Sequence, residues 1–306
     1  MTDFFRDAAH ISYEKVLEAL EHLSAHPGTA LEFPGKSEEG RPIPALCLGD
    51  RKAPCHVLLQ GAIHAREHMT AWLLAAMAER AQDQNLPRDI CWHFLPMMNP
   101  DAVEISQRGL LSGRREDIYR QDLAAGRTGE EPERYARRWK ANALGTDLNR
   151  NFPAGWELLE GPGVPSSENF RGEAPFSAAE ARTLRDYTLR YPFAVTVSYH
   201  ASGSVIYYEY GKKQPVNRLS RSLGEAVAAV TGYPMEGSAG LAGGGYKDWA
   251  VDSLGIPSLT IEIGRGEAPL RAEEARDIWE RNREVLPAIA AWLQEREENQ
   301  LCPLKK

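Results

Sequence analysis

Cysteine is scarce in this chain. The four present, Cys47, Cys55, Cys91 and Cys302, form no CxxC pair and no framework spacing, which argues against a disulfide-stapled scaffold or a zinc ribbon. Three of them lie in apolar runs of strand length, where a buried free thiol is the expectation. Long apolar runs are missing too, since none reaches the ~18 residues of a spanning helix. The N-terminus, MTDFFRDAAHISYEKVLEAL, lacks the basic start and apolar h-region of a signal peptide. A reduced, cytoplasmic protein is therefore expected, although a form trimmed of its leader reads the same. Basic excess is absent: 36 Lys and Arg stand against 43 Asp and Glu, a net charge of −7. With no basic stripe, neither nucleic acid nor a membrane surface is an expected partner. The locally basic stretch Arg134–Lys140 carries Tyr135 and Trp139 and reads as a solvated loop or helix face.

What is there is an ordinary globular balance, 42% hydrophobic and 26% charged over 306 residues, ample for a sizeable core. Apolar runs of strand length alternate with helical patterns, so the class is α/β with a mostly parallel or mixed sheet. Ser12–Ala25 predicts an amphipathic helix with Ser12 as N-cap. Ile43–Leu48, Cys55–Ile63 and Ile90–Met97 predict strands, and Arg66–Gln82, rich in Ala, Leu, Met and Glu, predicts a helix. Asn99-Pro100-Asp101 is a turn signal. From Ala102 to about Phe176 periodicity fades, and so long an irregular stretch is usually functional or a lid. Ser177 to Glu180 spells a capping box opening a helix to about Arg190. Strands are expected at Phe193–Tyr199, Val205–Tyr210 and Pro257–Ile263, and helices at Pro215–Thr231 and Arg271–Glu297, the last broken near Pro287. No internal repeat or linker is visible, so one domain over 1–306 is expected.

Four segments carry chemistry. In Gln60-Gly-Ala-Ile-His64-Ala-Arg-Glu67-His68, a His and a Glu three apart stand where a buried strand hands over to a helix. Both side chains can then address one spot beyond the strand's C-terminal end, the usual ligand position in open α/β sheets. A catalytic zinc takes three protein ligands and suits imidazole and carboxylate. Such a pair needs a third ligand from afar, and His200, at the end of the strand Val195-Thr-Val-Ser-Tyr-His, is a candidate; alone, either signal is weak. In Ser258-Leu-Thr-Ile-Glu262-Ile-Gly264 a carboxylate sits inside an apolar strand. A buried acid without a partner is costly, so Glu262 is either salt-bridged to an arginine or a general base tuned by burial and a nearby cation. In Gly145-Thr-Asp147-Leu-Asn149-Arg150-Asn-Phe-Pro, the Asn–Arg pair can clamp a substrate carboxylate through the guanidinium fork, or Arg150 is simply a surface arginine.

These residues resemble the zinc carboxypeptidase family. HxxE (His64, Glu67), DLNRNFP (Asp147 to Pro153), SYH (Ser198 to His200) and TIEIG (Thr260 to Gly264) occur in that family's order, and Asn99-Pro100-Asp101 fits, with Ala102 where a glycine often follows. The resemblance spans about residues 55–265. It implies a mixed, mostly parallel eight-stranded sheet flanked by helices, with an N-terminal helix and strands over about 1–50 and a catalytic core over about 51–298. It implies one zinc per chain on His64, Glu67 and His200, Glu262 as general base, and Asn149 and Arg150 as the carboxylate anchor. The two-histidine, one-glutamate set is carboxypeptidase A's own, so it comes with the resemblance rather than as a separate derivation. Within the family the closer likeness is to bacterial γ-D-glutamyl-L-diamino-acid peptidases, which trim cell-wall peptides. It rests on Asn99 to Gly109, Arg138-Trp-Lys-Ala-Asn142, Asn151-Phe-Pro-Ala-Gly-Trp156 and Gly245-Tyr-Lys-Asp-Trp249. The substrate so implied is the γ-D-glutamyl–meso-diaminopimelate bond of peptidoglycan-derived peptides.

Two departures bear on the site. Digestive members use an arginine upstream of the Asn–Arg pair to polarise the scissile carbonyl, and here either Arg138 or Lys140 stands in that region; lysine acts as a point charge without the planar fork. Gly237–Gly245 has no tyrosine, so the mobile tyrosine of digestive members is lost or replaced by Tyr233 or Tyr246. Lys247, two residues before Trp249, is either a reader of a substrate carboxylate or an exposed helix-start lysine. Three competing readings remain. His64-Ala-Arg-Glu67-His68 matches the inverzincin HxxEH, with His68 as ligand. An aspartoacylase-like amidohydrolase shares HxxE and a similar Asp-Leu-Asn-Arg element. A non-catalytic binder keeps the fold without the reaction.

Overall fold

The computed structural model describes residues 8, 10–84, 86–237 and 243–298. Its strands are β1 Thr29–Lys36, β2 Pro42–Leu48, β3 Cys55–Gln60, β4 Ile90–Leu95, β5 Phe193–Ala201, β6 Val205–Tyr207, β7 Met235–Glu236 and β8 Ser258–Ile263. They form one eight-stranded sheet in the order β1-β2-β4-β3-β5-β8-β6-β7. The central four, β4, β3, β5 and β8, run parallel; β1–β2, β2–β4 and β6–β8 are antiparallel. The expected mixed, mostly parallel sheet is present. From β3 the chain moves to β4 on one side, then returns to lay β5 on the other. The crevice beyond β3 and β5 is thus the topological switch point, where open α/β sheets bind ligands.

The helices are α1 Tyr13–Ser24, α2 Met69–Asp83, α3 Pro100–Arg108, α4 Arg114–Ala124, α5 Pro132–Arg137, α6 Ala179–Arg190, α7 Gln214–Thr231, α8 Tyr246–Trp249, α9 Ala275–Asn282 and α10 Val285–Glu298. Parallel strands covered on both faces read as unbroken apolar runs, and β3 is buried throughout. Alternation sends Val57 and Leu59 to one core with Trp72, Phe94, Val197 and Ile261. Leu58 goes to the other, with Leu95, Leu184, Tyr187 and Trp249. Ser12 caps α1 as expected, its Oγ accepting from Lys15 N at 3.3 Å.

Several boundaries differ from the sequence reading. β3 stops at Gln60, not Ile63, and His64 follows on a short extended link. β1 escaped notice because Pro34 and Gly35 interrupt it, and both fall at its register shift. The turn at Asn99 is the start of α3, with Pro100 in the first turn and left-handed Gly109 closing it. The irregular stretch 102–176 holds α4 and α5 as well as the bulk of α3. The capping box does not form: α6 begins at Ala179 without a side-chain cap, because Ser177 accepts from Asn151 and Glu180 from Asn142. β6 is shorter than Val205–Tyr210. The last helix divides before Pro287, which sits in the first turn of α10.

Candidate metal centre and cleft

The three presumed ligands arrive from two adjacent strands. After β3, Gly61 lies so close to Thr70 and Leu74 of α2 that a Cβ would meet the Thr70 hydroxyl at 2.9 Å. That hydroxyl accepts from Ala62 N at 2.7 Å and donates to Glu67 O at 2.7 Å. Asn99 donates to Ile63 O at 3.2 Å and Ala141 O at 3.0 Å. The link carrying His64 is thereby pinned from both sides, and Glu67 is placed on the turn Ala65–Glu67 that leads into α2.

His64, Glu67 and His200 are all buried, with their ligand atoms within 4.8 Å of one another. His64 Nδ1 lies 2.8 Å from Glu67 Oε1 and 3.2 Å from His200 Nδ1, which is 2.9 Å from Glu67 Oε2. Burial alone works to raise the Glu67 carboxyl, but the two imidazoles outweigh it and hold it well below its usual range. Burial lowers His64, whereas at His200 burial is outweighed by the Glu67 carboxylate and the net shift is upward.

This donor set fits zinc. The outward His64 Nε2 lies 3.2 Å from Asp147 Oδ1, the kind of carboxylate that fixes a ligating imidazole's tautomer and heading. Asp147, which the sequence reading left without a role, also accepts from Asn149 N at 3.1 Å and Asn169 N at 3.2 Å, and lies 3.4 Å from Lys140 Nζ. Its signal was present: it opens the same DLNR segment that supplies Asn149 and Arg150.

Parallel register sets Glu262 of β8 directly beside His200 of β5. Burial pushes its carboxyl up to about 7, against the lowering pull of His200. No arginine pairs with Glu262 among the described residues, so the salt-bridge reading has no support. A cleft of about 410 Å³ is lined by His64, Glu67, His200 and Glu262 together with Arg138, Lys140, Asn149 and Arg150. Both candidate oxyanion cations reach it. Arg138 is tied to Glu267 and lies 3.3 Å from Glu130, while the charge of Lys140 is felt at His64, His200 and Glu262. Asn149 Oδ1 accepts from Tyr246 N at 3.0 Å, which fixes this side chain at the cleft wall.

Other expected residues stand elsewhere. Tyr246 is fully buried, its hydroxyl 3.0 Å from Thr188 Oγ1 and its ring packed on Phe152 and Trp249. Tyr233 is buried too and takes a hydrogen bond from Asn282. Both are core tyrosines here, and 238–242 of the glycine-rich segment lie outside the described residues. Lys247 is neither exposed nor in the cleft: Nζ donates to Glu209 O at 2.6 Å and lies 2.8 Å from Asp248 Oδ1. His68 lines a separate cavity with Ser106, Arg137 and Leu270, which removes the geometric basis for the HxxEH reading.

Comparison with known proteins agrees with this arrangement. A family profile described as zinc carboxypeptidase matches residues 16–285. The chain is 29% identical over 262 residues to the γ-D-glutamyl-L-diamino acid endopeptidase 1 of Lysinibacillus sphaericus, covering 80% of this chain and 63% of that protein. It is also 29% identical over 287 residues to the metallocarboxypeptidase A of Trichophyton rubrum, covering 82% and 63%. The chain thus spans 63% of the length of these two relatives. Among solved structures, bovine thrombin-activatable fibrinolysis inhibitor in complex with tick carboxypeptidase inhibitor superposes with a TM-score of 0.73 at 20% identity, covering 94% of this chain and 99% of that one. With most of its length matched by the profile, and the fold and cleft as described, the chain belongs to the zinc carboxypeptidase family.

Proposed function

We propose that this protein is a zinc-dependent peptidase acting on peptidoglycan-derived peptides at the γ-D-glutamyl–meso-diaminopimelate bond, through a single catalytic domain. The observation that carries the reading is one cleft holding the His64, Glu67 and His200 triad, the Glu262 carboxylate beside it and four cations, Arg66, Arg138, Lys140 and Arg150, around it. The substrate class rests on the similarity to the Lysinibacillus endopeptidase.

In this reading one zinc is held by His64, Glu67 and His200. Bound there, zinc acts as a Lewis acid that acidifies water and polarises the scissile carbonyl. The chain does the rest. Asp147 holds His64 in one tautomer. Glu262 takes a proton from the attacking water and delivers it to the departing amine. Lys140 or Arg138, both lining the cleft, faces the oxyanion as charge develops. Arg150 and Asn149 anchor a substrate carboxylate. In a wall peptide that anchor suits the α-carboxylate of D-glutamate or a carboxylate of diaminopimelate.

The test is mass-spectrometric cleavage of L-Ala-γ-D-Glu-meso-diaminopimelate beside a panel of peptides with ordinary C-terminal residues and N-acyl amino acids. Release of L-Ala-D-Glu, lost in Glu262→Gln, is the expected result. Cleavage confined to ordinary C-terminal residues favours the second reading, a metallocarboxypeptidase, to which the Trichophyton similarity points. Turnover of N-acyl amino acids alone would replace both.

A further inference from the structure

At the opposite end of β3 from the cleft lies a second group of metal-binding side chains. Register places Glu32, Cys47, His56, Cys91 and His93 on one face of β1, β2, β3 and β4, beneath Tyr187 of α6. His56, Cys91 and His93 are fully or almost fully buried, and a ring nitrogen of each histidine lies with the Cys91 sulfur within 4.8 Å of one another. No hydrogen bond reaches the Cys91 thiol among the described residues.

Proton counting shows what this arrangement lacks. His56 Nε2 lies 3.1 Å from Ala53 O, and a carbonyl only accepts, so this nitrogen bears the hydrogen and Nδ1 offers a lone pair. That lone pair lies 2.8 Å from His93 Nε2. If a proton fills this gap from His93 Nε2, then His93 Nδ1 is also a bare acceptor, 2.8 Å from the Tyr187 hydroxyl. The same hydroxyl lies 2.8 Å from Glu32 Oε1. One phenolic hydrogen then serves two 2.8 Å contacts. The Cys47 thiol, 3.4 Å from both His93 Nδ1 and Glu32 Oε1 and 3.3 Å from the Tyr187 hydroxyl, can donate to one of these acceptors but places no hydrogen within the 2.8 Å contact left empty.

We propose that His56 Nδ1, His93 Nε2 and the Cys91 sulfur bind a second metal, a soft cation of the zinc class that braces the N-terminal ends of β3 and β4. Two imidazoles and a thiolate select such a cation over magnesium or calcium. On binding, Cys91 loses its proton to solvent and its sulfur bonds the metal. The His93 hydrogen moves from Nε2 to Nδ1 and is donated to Tyr187, which donates its own to Glu32. Every short contact then holds one hydrogen. The other nitrogen of each ring has an oxygen partner, as ligating histidines require. The two facing nitrogens part by roughly half an ångström, to the ~3.3 Å that two Zn–N bonds of ~2.0 Å span at a tetrahedral angle.

Cobalt(II) reads the proposal directly, because the cleft ligands include no sulfur. The metal-stripped protein is reloaded with excess cobalt(II) and its near-ultraviolet spectrum recorded. A sulfur-to-cobalt charge-transfer band is expected, retained in His200→Ala and Cys47→Ser and lost in Cys91→Ser and His56→Gln. Chelator competition on the zinc-loaded protein should read two equivalents in the wild type and one in His56→Gln. Absence of the band in the cobalt-loaded wild type overturns the proposal without recourse to any variant and makes the pair a hydrogen-bonded core contact. A band that survives Cys91→Ser but not Cys47→Ser overturns it too. An active peptidase without the band would sink this inference alone, and an inert protein with it would sink only the peptidase reading.

Discussion

β3 has histidine chemistry at both ends, and the two surroundings differ in kind. Beyond its C-terminal end, His64 meets carboxylates and cations in an open cleft. At its N-terminal end, His56 meets thiols, phenols and a second histidine in a closed interior. The sheet's connectivity explains the contrast. At the switch point the chain leaves β3 and β5 in opposite directions, so side chains there face a crevice a substrate can enter. At the other end α6 covers the strands, and polar groups have only one another, or an ion, to satisfy them.

The largest effect is expected at the open end. Glu262→Gln should lower kcat by about 10²- to 10⁴-fold, the usual worth of a general base, with zinc content unchanged on elemental analysis. A loss under tenfold would take Glu262 out of that role. Next in size is Asp147→Asn, expected to weaken zinc binding by about 10- to 100-fold in chelator competition; an unchanged affinity would mean that the His64 contact is incidental. At the closed end, Tyr187→Phe takes away the hydroxyl that stands between His93 Nδ1 and Glu32. It should cost about 1–3 kcal/mol in urea unfolding while kcat stays as in the wild type. A change in kcat there would show that the two ends are not separable.

A smaller effect is expected at Glu180, in the first turn of α6, whose carboxyl burial pushes up to about 7. An acid raised on folding contributes stability in full below its unfolded pKa, here the ordinary 4.5, and loses it as pH rises through about 7. The wild type should therefore lose stability relative to Glu180→Gln between pH 5 and pH 8, read from paired urea curves. Parallel curves would mean that the donors Asn142 and Glu38 keep it ionised. Least is expected at Lys247. With its ammonium placed on Glu209 O and Asp248, Lys247→Met should shift KM equally for a diaminopimelate peptide and its alanine analogue. A selective rise for the diaminopimelate peptide would restore the carboxylate-reading role that its position before Trp249 suggested.

The open end was largely legible in the sequence. HxxE is a local spacing, His200 closes an apolar run, Glu262 interrupts another, and DLNR is contiguous, so short-range pattern carried the information. The closed end was not. His56, Cys91 and His93 are brought together by the pairing of β3 with β4, and register is a property of two segments that neither encodes alone. Tyr246 was misjudged for a related reason: its place beside a glycine turn resembles a mobile position, while Phe152, Thr188 and Trp249, distant in sequence or across a turn, make it core. The loose stretch after Ala102 hid three helices because α4 and α5 are polar and short, each giving only one or two apolar side chains (Ile118; Tyr135 and Ala136) to the core rather than a wide apolar face.

Asp147 touches the presumed ligand His64, the cation Lys140 and the backbone of the anchor residue Asn149, as well as Asn169 across the loop. A ligand, a cation and the anchor residue therefore share one carboxylate as a common point of reference. Loops between these parts can lengthen, shorten or change sequence over evolutionary time without disturbing the chemistry, provided their ends still reach that reference point.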